Sequence, residues 1–247
     1  MTILYVNGDS HSAGADTFTD VDGNLVSFKG DDSAYWRALG TPEANDIHPE
    51  CLKRSYGYHI AQKIDATYVC EALPGGSNGR IIRTVQQYLS QKDYKKPNLI
   101  IIGWSTWERE EWWDQQTLTW WQVNASGVGK DWPDNIKERY KKWILDLDYQ
   151  SATNKAHRSI HNFHLKLLKE GINHFFFTCF EPFKNTEILD FNHCYLHPYD
   201  PDYTFYNWSK SQGFKTVNPK SYHFGADAHE AWANFLYSKI ITSCLVK

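Results

Sequence analysis

The stretch TILYVNGDSHS, residues 2–12, decides the fold of this 247-residue chain. Its first half contains the apolar run Ile3–Val6, which is typical of a strand that is buried on both faces of a parallel sheet. Its second half is small and polar, and Gly8 permits a sharp exit from the strand. The pattern therefore predicts a buried strand that presents Ser10 at the mouth of a sheet.

The same alternation of short apolar runs with helical segments continues along the chain. The predicted strands are Ile3–Val6, Thr67–Cys70, Leu99–Ile102 and Phe175–Thr178, with Phe214–Val217 as a fifth, and the predicted helices are Tyr56–Ile64, Arg80–Leu89, Ile136–Leu147, Ala156–Leu168 and Asp227–Ile241. Strands alternating with helices indicate right-handed crossovers. We predict one α/β domain over residues 1–247, with a doubly wound, mostly parallel five-stranded sheet in a flavodoxin-like three-layer α/β/α arrangement.

Two inserted stretches interrupt this repeat. The first, at about 104–135, is rich in tryptophan: six of the 11 tryptophans lie between positions 104 and 121. Adjacent pairs of tryptophans cannot both face inward, so we expect part of this stretch to form an aromatic wall or lid beside a site. The second, at about 181–222, is longer than structureless loops usually are, which indicates a lid or binding loop. A shorter hairpin is expected around Asp22-Gly23.

Composition excludes several classes of function. The formal net charge is -3 and no basic cluster is present, so we expect no nucleic-acid partner. No run of about 18 apolar residues occurs, and no leader pattern precedes the first strand, so we expect no membrane partner and a cytoplasmic location. The five cysteines contain no C-x-x-C pair, and we predict no metal site.

Reactive side chains are expected where parallel strands end, because their carboxyl ends meet at one edge of the sheet. Ser10 follows the first strand, the glycine-rich turn 74–80 follows the second, and the segment 103–106 follows the third. His223 lies just before the last predicted helix. A serine within reach of an imidazole is the arrangement used for nucleophilic catalysis, and a glycine-rich turn that opens a helix can direct N–H groups at developing negative charge.

These residues together resemble the SGNH/GDSL hydrolase family over most of the chain and in the same order. The matching residues are Gly8-Asp9-Ser10, Gly76 or Gly75, Gly103 and His223, and the combination is also similar to SGNH-like proteins of phages. The resemblance implies a serine esterase or deacylase with Ser10 as nucleophile and His223 as base. It also implies an oxyanion hole made by the N–H groups of Ser10 and Gly76 and by the side chain of Ser105 or Asn78, and it implies no cofactor.

The sequence departs from the family pattern at two places. Ser105 and Thr106 stand where the family has Asn and Asp, and Lys220 stands three residues before His223, where the family has the acid of the triad. A backbone carbonyl, Asp200 or Asp202 could supply the missing acceptor. A second register, with His229 and Asp227 in these roles, is disfavoured because both lie inside the final predicted helix.

Substrate contacts and rival functions complete the predictions. Candidate contacts are Asp9, His11, Trp104 and Arg109. Arg109 lies among three glutamates, and the simplest interpretation is a solvent-exposed helix with paired charges. The alternative is that Arg109 binds a substrate carboxylate or phosphate. The expected substrate is a small ester or an acylated carbohydrate. The alternatives are a catalytically weak or inactive SGNH fold that binds glycans, and a flavodoxin-like ligand-binding protein. The oligomeric state is not predicted.

Overall fold

A four-stranded parallel sheet forms the centre of the computed structural model, which describes residues 2–28, 47–91, 95–129, 132–219, 221–243 and 245. Its strands, in chain order, are β1 (Thr2–Gly8), β4 (Ala66–Cys70), β5 (Leu99–Trp104) and β8 (His174–Thr178). They are arranged in the order β4-β1-β5-β8. The chain therefore starts in the interior of the sheet and winds first to one side and then to the other, which confirms the predicted doubly wound α/β class.

Helices cover both faces of this sheet, because its strands alternate apolar side chains between two cores. The helices are α1 (Ser10–Ala13), α2 (Pro49–Arg54), α3 (Tyr56–Lys63), α4 (Asn78–Ser90), α5 (Asp134–Asp146), α6 (Tyr149–Lys169), α7 (Phe205–Ser211) and α8 (Ala226–Thr242). Leu4 and Val6 pack with α3 and α8, whereas Tyr5 packs with α4 and α6. The five predicted helices are all present. Within the described ranges, none has the length and apolar character needed to cross a membrane.

The predicted fifth strand, Phe214–Val217, is not part of the sheet in the described residues. Thr216 makes only an isolated antiparallel bridge with Phe224. The position beside β8 is taken by Tyr195, which forms a parallel bridge with Phe176. Because residues 194–196 already pair with that edge, the segment at 214–217 pairs locally with the chain around His223 instead.

Both inserted stretches contain ordered elements. The tryptophan-rich stretch forms a hairpin of β6 (Glu110–Asp114) and β7 (Thr119–Val123), in which Trp112 pairs with Trp121 and Trp113 with Trp120. Trp112 and Trp121 are buried against α5, whereas Trp113 is 43% exposed. The long loop contains a 3₁₀ turn (Pro201–Tyr203) and α7, so it is partly helical. The short hairpin is also present, as β2 (Phe18–Thr19) paired with β3 (Leu25–Val26).

Two glycines at the end of the sheet are fixed by close packing. Gly8 and Gly103 are paired in register on β1 and β5. A Cβ on Gly8 would lie 2.1 Å from Ser12 Oγ, and a Cβ on Gly103 would lie 2.6 Å from the same atom and 2.8 Å from Phe177 Cζ. The side chain of Ser12 thus fills the space that two missing side chains leave, and this contact holds α1 against the strand ends.

Gly103→Ala is expected to lower the free energy of unfolding by about 1–3 kcal/mol, because the added methyl group overpacks a filled core. Gly79→Ala is the matched control: Gly79 is exposed on α4, and its nearest neighbour would be 3.8 Å from the new Cβ. That change is expected to be neutral or to stabilise by up to about 1 kcal/mol. Urea unfolding of both variants checks this, and equal stabilities would contradict the packing argument.

Candidate active site

Ser10 is the first residue of α1, directly beyond β1. Asp9 caps this four-residue helix by accepting a hydrogen bond from the His11 N–H at 3.0 Å, and Gly14 ends it in the left-handed conformation. The side chain of Ser10 points to a histidine: the distance from Ser10 Oγ to His223 Nε2 is 2.8 Å. The structure therefore brings together the two residues that the sequence predicts as nucleophile and base.

His223 is held in place by the loop that precedes α8. Its carbonyl accepts from the Val217 N–H at 2.9 Å, and its own N–H donates to Ser221 Oγ at 3.0 Å. The imidazole of His11 packs edge-on against it, with ring centroids 5.1 Å apart. These contacts orient the His223 ring toward Ser10.

The carboxylate on the other side of His223 belongs to Asp16, which the sequence analysis did not single out. Asp16 Oδ2 lies 2.6 Å from His223 Nδ1 and accepts a second hydrogen bond from Ser221 Oγ at 3.3 Å. Its Oδ1 accepts from Ser27 Oγ, while its N–H donates to the same hydroxyl at 2.8 Å. Ser10, His223 and Asp16 thus form a continuous Ser–His–Asp chain.

The ionised form of Asp16 is favoured in this position. Partial burial would raise the pKa of Asp16, but the hydrogen bond and charge of His223, with the bonds from Ser27 and Ser221, outweigh burial and lower it. An ionised acceptor at Nδ1 places the imidazole proton on Nδ1 and leaves Nε2 free to accept the proton of Ser10. In this tautomer Ser10 Oγ can donate a hydrogen bond to His223 Nε2.

The other acids considered from the sequence, and the alternative histidine His229, do not pair with His223. Asp200 caps the 3₁₀ turn by accepting from the Asp202 N–H, and Lys220 is outside the described residues. His229 is buried in the core, where burial lowers its pKa to about 3 and its Nδ1 accepts from the Tyr56 N–H. The acid paired with His223 is therefore Asp16, and not Asp200, Asp202 or Asp227.

The groups predicted for the oxyanion hole are largely occupied by internal hydrogen bonds. The Gly76 N–H donates to Leu73 O at 2.8 Å and closes a turn in which Gly75 has φ 74°, as the third position of a type II turn requires. Asn78 Nδ2 donates to Ser105 O and Thr106 O, and Asn78 Oδ1 accepts from the Ser105 N–H. Asn78 therefore binds the end of β5 to the start of α4.

Asp9 lies at the centre of a buried polar network. Its Oδ2 accepts from Ser105 Oγ at 3.2 Å and from Arg109 Nη1 at 3.4 Å, and its Oδ1 lies 3.2 Å from His11 Nδ1. Arg109 also donates to Ser105 Oγ at 2.8 Å. Burial would raise the pKa of Asp9, but His11 and Arg109 together lower it well below its usual range. Asp9 is thus an internal anion that organises the site.

The predicted substrate contacts therefore separate into two groups. Asp9 and His11 are buried, and His11 Nε2 lies 3.2 Å from the Tyr222 carbonyl, so His11 supports the loop that carries His223. Trp104 is wholly buried and packs edge-on against Phe176, because it continues the core-facing side of β5. Arg109 alone among the four keeps an accessible side chain, which is 18% exposed.

Solved structures similar in fold include hydrolases. The protein TesA is similar over 98% of this chain and 99% of its own length, with 12% identity and a TM-score of 0.47. The psychrotrophic esterase EstA from Pseudoalteromonas sp. is similar over 98% of each chain, with 11% identity and a TM-score of 0.44. An acetyl xylan esterase from the rumen bacterium Butyrivibrio proteoclasticus is similar over 99% of this chain, with 10% identity and a TM-score of 0.42, and this chain spans 64% of its length. No protein-family model and no curated protein matches the sequence.

Two clusters in the described residues each bring the ligand atoms of three potential metal ligands within 4.8 Å of one another: His164, His174 and Cys194, and Asp9, His11 and Cys179. In the first, His164 Nδ1 lies 2.8 Å from His174 Nε2, and His174 Nδ1 lies 2.8 Å from Ile172 O. Two neutral imidazoles can make both of these hydrogen bonds, and burial lowers the pKa of both histidines to about 4. In the second, the guanidinium of Arg109 already neutralises Asp9. The prediction that the chain binds no metal stays a prediction.

The Asp9 network makes the stability depend on pH. Because the pKa of Asp9 is lower in the folded than in the unfolded chain, its stabilisation is full above about pH 4–5 and is lost as the pH falls through the folded pKa. Asp9→Asn is therefore expected to cost about 3–5 kcal/mol at pH 7 by leaving Arg109 and His11 without their buried anion. Urea unfolding of both proteins at pH 7 and pH 3 checks this, and a difference that stayed constant with pH would contradict it.

Proposed function

We propose that this chain is a serine hydrolase of the SGNH type that cleaves ester bonds, with Ser10 as nucleophile, His223 as general base and Asp16 as the acid that orients His223. The observation that carries the proposal is the hydrogen-bonded chain Ser10 Oγ to His223 Nε2, 2.8 Å, and His223 Nδ1 to Asp16 Oδ2, 2.6 Å. These three side chains come from the end of β1, the turn after α1 and the loop before α8.

The reaction follows from this order of atoms. His223 Nε2 takes the proton of Ser10 as Oγ forms a bond to the ester carbonyl carbon, and the carbonyl π electrons move to its oxygen. When the carbonyl re-forms, the bond to the alcohol oxygen breaks and His223 returns the proton to the leaving alcohol. Water then attacks the acyl-Ser10 ester with His223 again as base. This sequence needs no cofactor.

The substrate class is proposed as a small neutral ester, including an acyl group carried on a carbohydrate. Support comes from the β6–β7 hairpin, which is joined to the glycine-rich turn by the hydrogen bond from the Ser77 N–H to Gln122 Oε1, 3.1 Å. On its outer face Trp113 and Trp120 lie with ring centroids 5.5 Å apart, and Arg83 covers the Trp120 ring. The exposed indole of Trp113 provides apolar surface against which a sugar ring can pack.

The proposal is tested by reaction with a fluorophosphonate probe and by hydrolysis of p-nitrophenyl acetate. We expect one probe molecule per chain, located by mass spectrometry on the peptide that contains Ser10, and release of p-nitrophenol with a burst. Acetate release from acetylated oligosaccharides then tests the carbohydrate class. A folded protein that neither reacts with the probe nor hydrolyses the ester would refute the proposal.

The rival functions account less well for the site. A glycan-binding module, or a flavodoxin-like ligand-binding protein, has no use for a histidine oriented by a carboxylate toward a serine hydroxyl. In this chain Asp16 makes hydrogen bonds with three residues, Ser27, Ser221 and His223, around that histidine. Such an arrangement favours catalysis over binding alone.

A further inference from the structure

Three of the neutral donors predicted for the oxyanion hole already have acceptors inside the protein. The hydroxyl proton of Ser105 goes to Asp9 Oδ2, the amide protons of Asn78 go to two backbone carbonyls, and the Gly76 N–H goes to Leu73 O. The Ser10 N–H lies in the first turn of α1, where a helix offers no internal acceptor. An ester hydrolase needs further donors aimed at the carbonyl oxygen, because negative charge develops there.

Arg109 is the donor whose hydrogen bonds are incomplete. Its Nη1 donates to Ser105 Oγ at 2.8 Å and to Asp9 Oδ2 at 3.4 Å, and Asp9 directly precedes Ser10. The guanidinium therefore lies at the end of β5, beside the side chain that takes the position of the family's Asn. Its Nε and Nη2 groups donate to no residue within the described ranges, and the side chain keeps 18% exposure.

The charges around Arg109 are largely paired with one another. Arg109 and Asn78 border a cavity of about 240 Å³ between α4 and α6, which is also lined by Glu108, Glu110 and Glu111. Arg83 pairs with Glu111, and Lys155 pairs with Glu110. The cavity therefore has no excess of positive charge that would select an anionic ligand. The guanidinium is joined to the segment that carries the nucleophile through Asp9, which directly precedes Ser10.

We propose that Arg109 is a catalytic residue whose free N–H groups donate to the ester carbonyl oxygen as it becomes an oxyanion, in place of the amide that an SGNH hydrolase would use. The inference rests on the proposed function. In the step concerned, the Ser10 Oγ–carbon bond forms, the π electrons move to oxygen beside Arg109, and the Ser10 proton moves to His223. A charged donor binds an oxyanion more strongly than a neutral amide does. The buried carboxylate of Asp9 holds the Arg109 guanidinium in position.

The test compares Arg109→Ala and Arg109→Gln with the wild-type chain on p-nitrophenyl acetate and on the anionic ester p-nitrophenyl succinate. We expect kcat to fall about 10²–10³-fold with both esters, with KM changed far less, because the interaction forms in the transition state. Added guanidinium ion, at concentrations far below those that unfold proteins, is expected to restore part of kcat in Arg109→Ala. The glutamine variant can still donate to Asp9, so it tests the proposal if the alanine variant does not fold. Arg139→Ala, which removes an arginine from the surface of α5, is the matched control.

The outcomes separate the two proposals. A wild-type chain that does not react with a fluorophosphonate refutes the hydrolase and the role of Arg109 with it. A reactive wild-type chain whose folded Arg109 variants keep kcat within about threefold refutes the role of Arg109 alone. A loss confined to KM for p-nitrophenyl succinate also refutes it, because Arg109 would then bind a substrate carboxylate. Loss of kcat with rescue by guanidinium, absent in Ser10→Ala, supports it.

Discussion

Ser10→Ala is expected to lower kcat for p-nitrophenyl acetate by about 10⁴–10⁶-fold, because no acyl-enzyme can form and His223 is left without a proton to move. The matched control is Ser12→Ala, on the same short helix. Ser12 Oγ accepts from Tyr56 OH at 2.8 Å inside the core and has no contact with His223. Steady-state kinetics and probe labelling of both variants measure the difference.

A small effect on activity is expected for Ser12→Ala, although loss of its packing against the glycines lowers stability. Thermal unfolding separates these two effects. If Ser10→Ala kept more than about a tenth of the wild-type kcat, Ser10 would not be the nucleophile.

Asp16→Asn is expected to lower kcat by about 10⁴-fold with little loss of folded protein. An asparagine amide at this position can donate to His223 Nδ1, which favours the tautomer that carries its proton on Nε2. That tautomer cannot accept the proton of Ser10. The variant should therefore bind substrate normally and react slowly with fluorophosphonates.

Asp200→Asn and Asp202→Asn are the controls for this prediction, since both aspartates lie in the 3₁₀ turn and have no hydrogen bond with His223. Both variants are expected to keep kcat within about threefold of the wild-type value. A large loss in either of them, with Asp16→Asn fully active, would assign the orienting acid to the long loop and would show that the contact of Asp16 with His223 is dispensable.

The fold could be predicted from sequence because its signals are local. Each of the four strands is a short apolar run, and small or polar residues stand at the ends of β1 and β5, as at Gly8 and Gly103. The prediction of a fifth strand was wrong because two segments could pair with the edge of β8. Tyr195 occupies that edge, and Phe214–Val217 pairs instead with the loop that contains Phe224. Nothing in the composition of residues 194–196 predicts that they pair with β8.

The sequence predicted the site residue that directly follows a strand, Ser10. It did not predict Asp16, whose position depends on how the backbone turns after α1. Ser10 and His223 meet as expected. Asp16 also contacts His223, but its backbone has a left-handed conformation, φ 62°, and it is held by Ser27, just after the β2–β3 hairpin. The expected oxyanion donors already have acceptors: the Gly76 N–H donates within its own turn, and the Asn78 amide donates to the backbone at the end of β5. Trp104, a candidate substrate contact, is wholly buried for a reason visible in the sequence, since alternation along β5 places it with Ile100 and Ile102.

The positions of the three proposed catalytic side chains along the chain have a consequence for the order in which the site is completed. Ser10 and Asp16 belong to one short N-terminal segment, and only His223 comes from the far side of the domain. During synthesis, Ser10 and Asp16 are made more than 200 residues before His223, the base proposed to activate Ser10. In the proposed mechanism, Ser10 therefore has no base beside it until the segments that form all four strands of the sheet have been made.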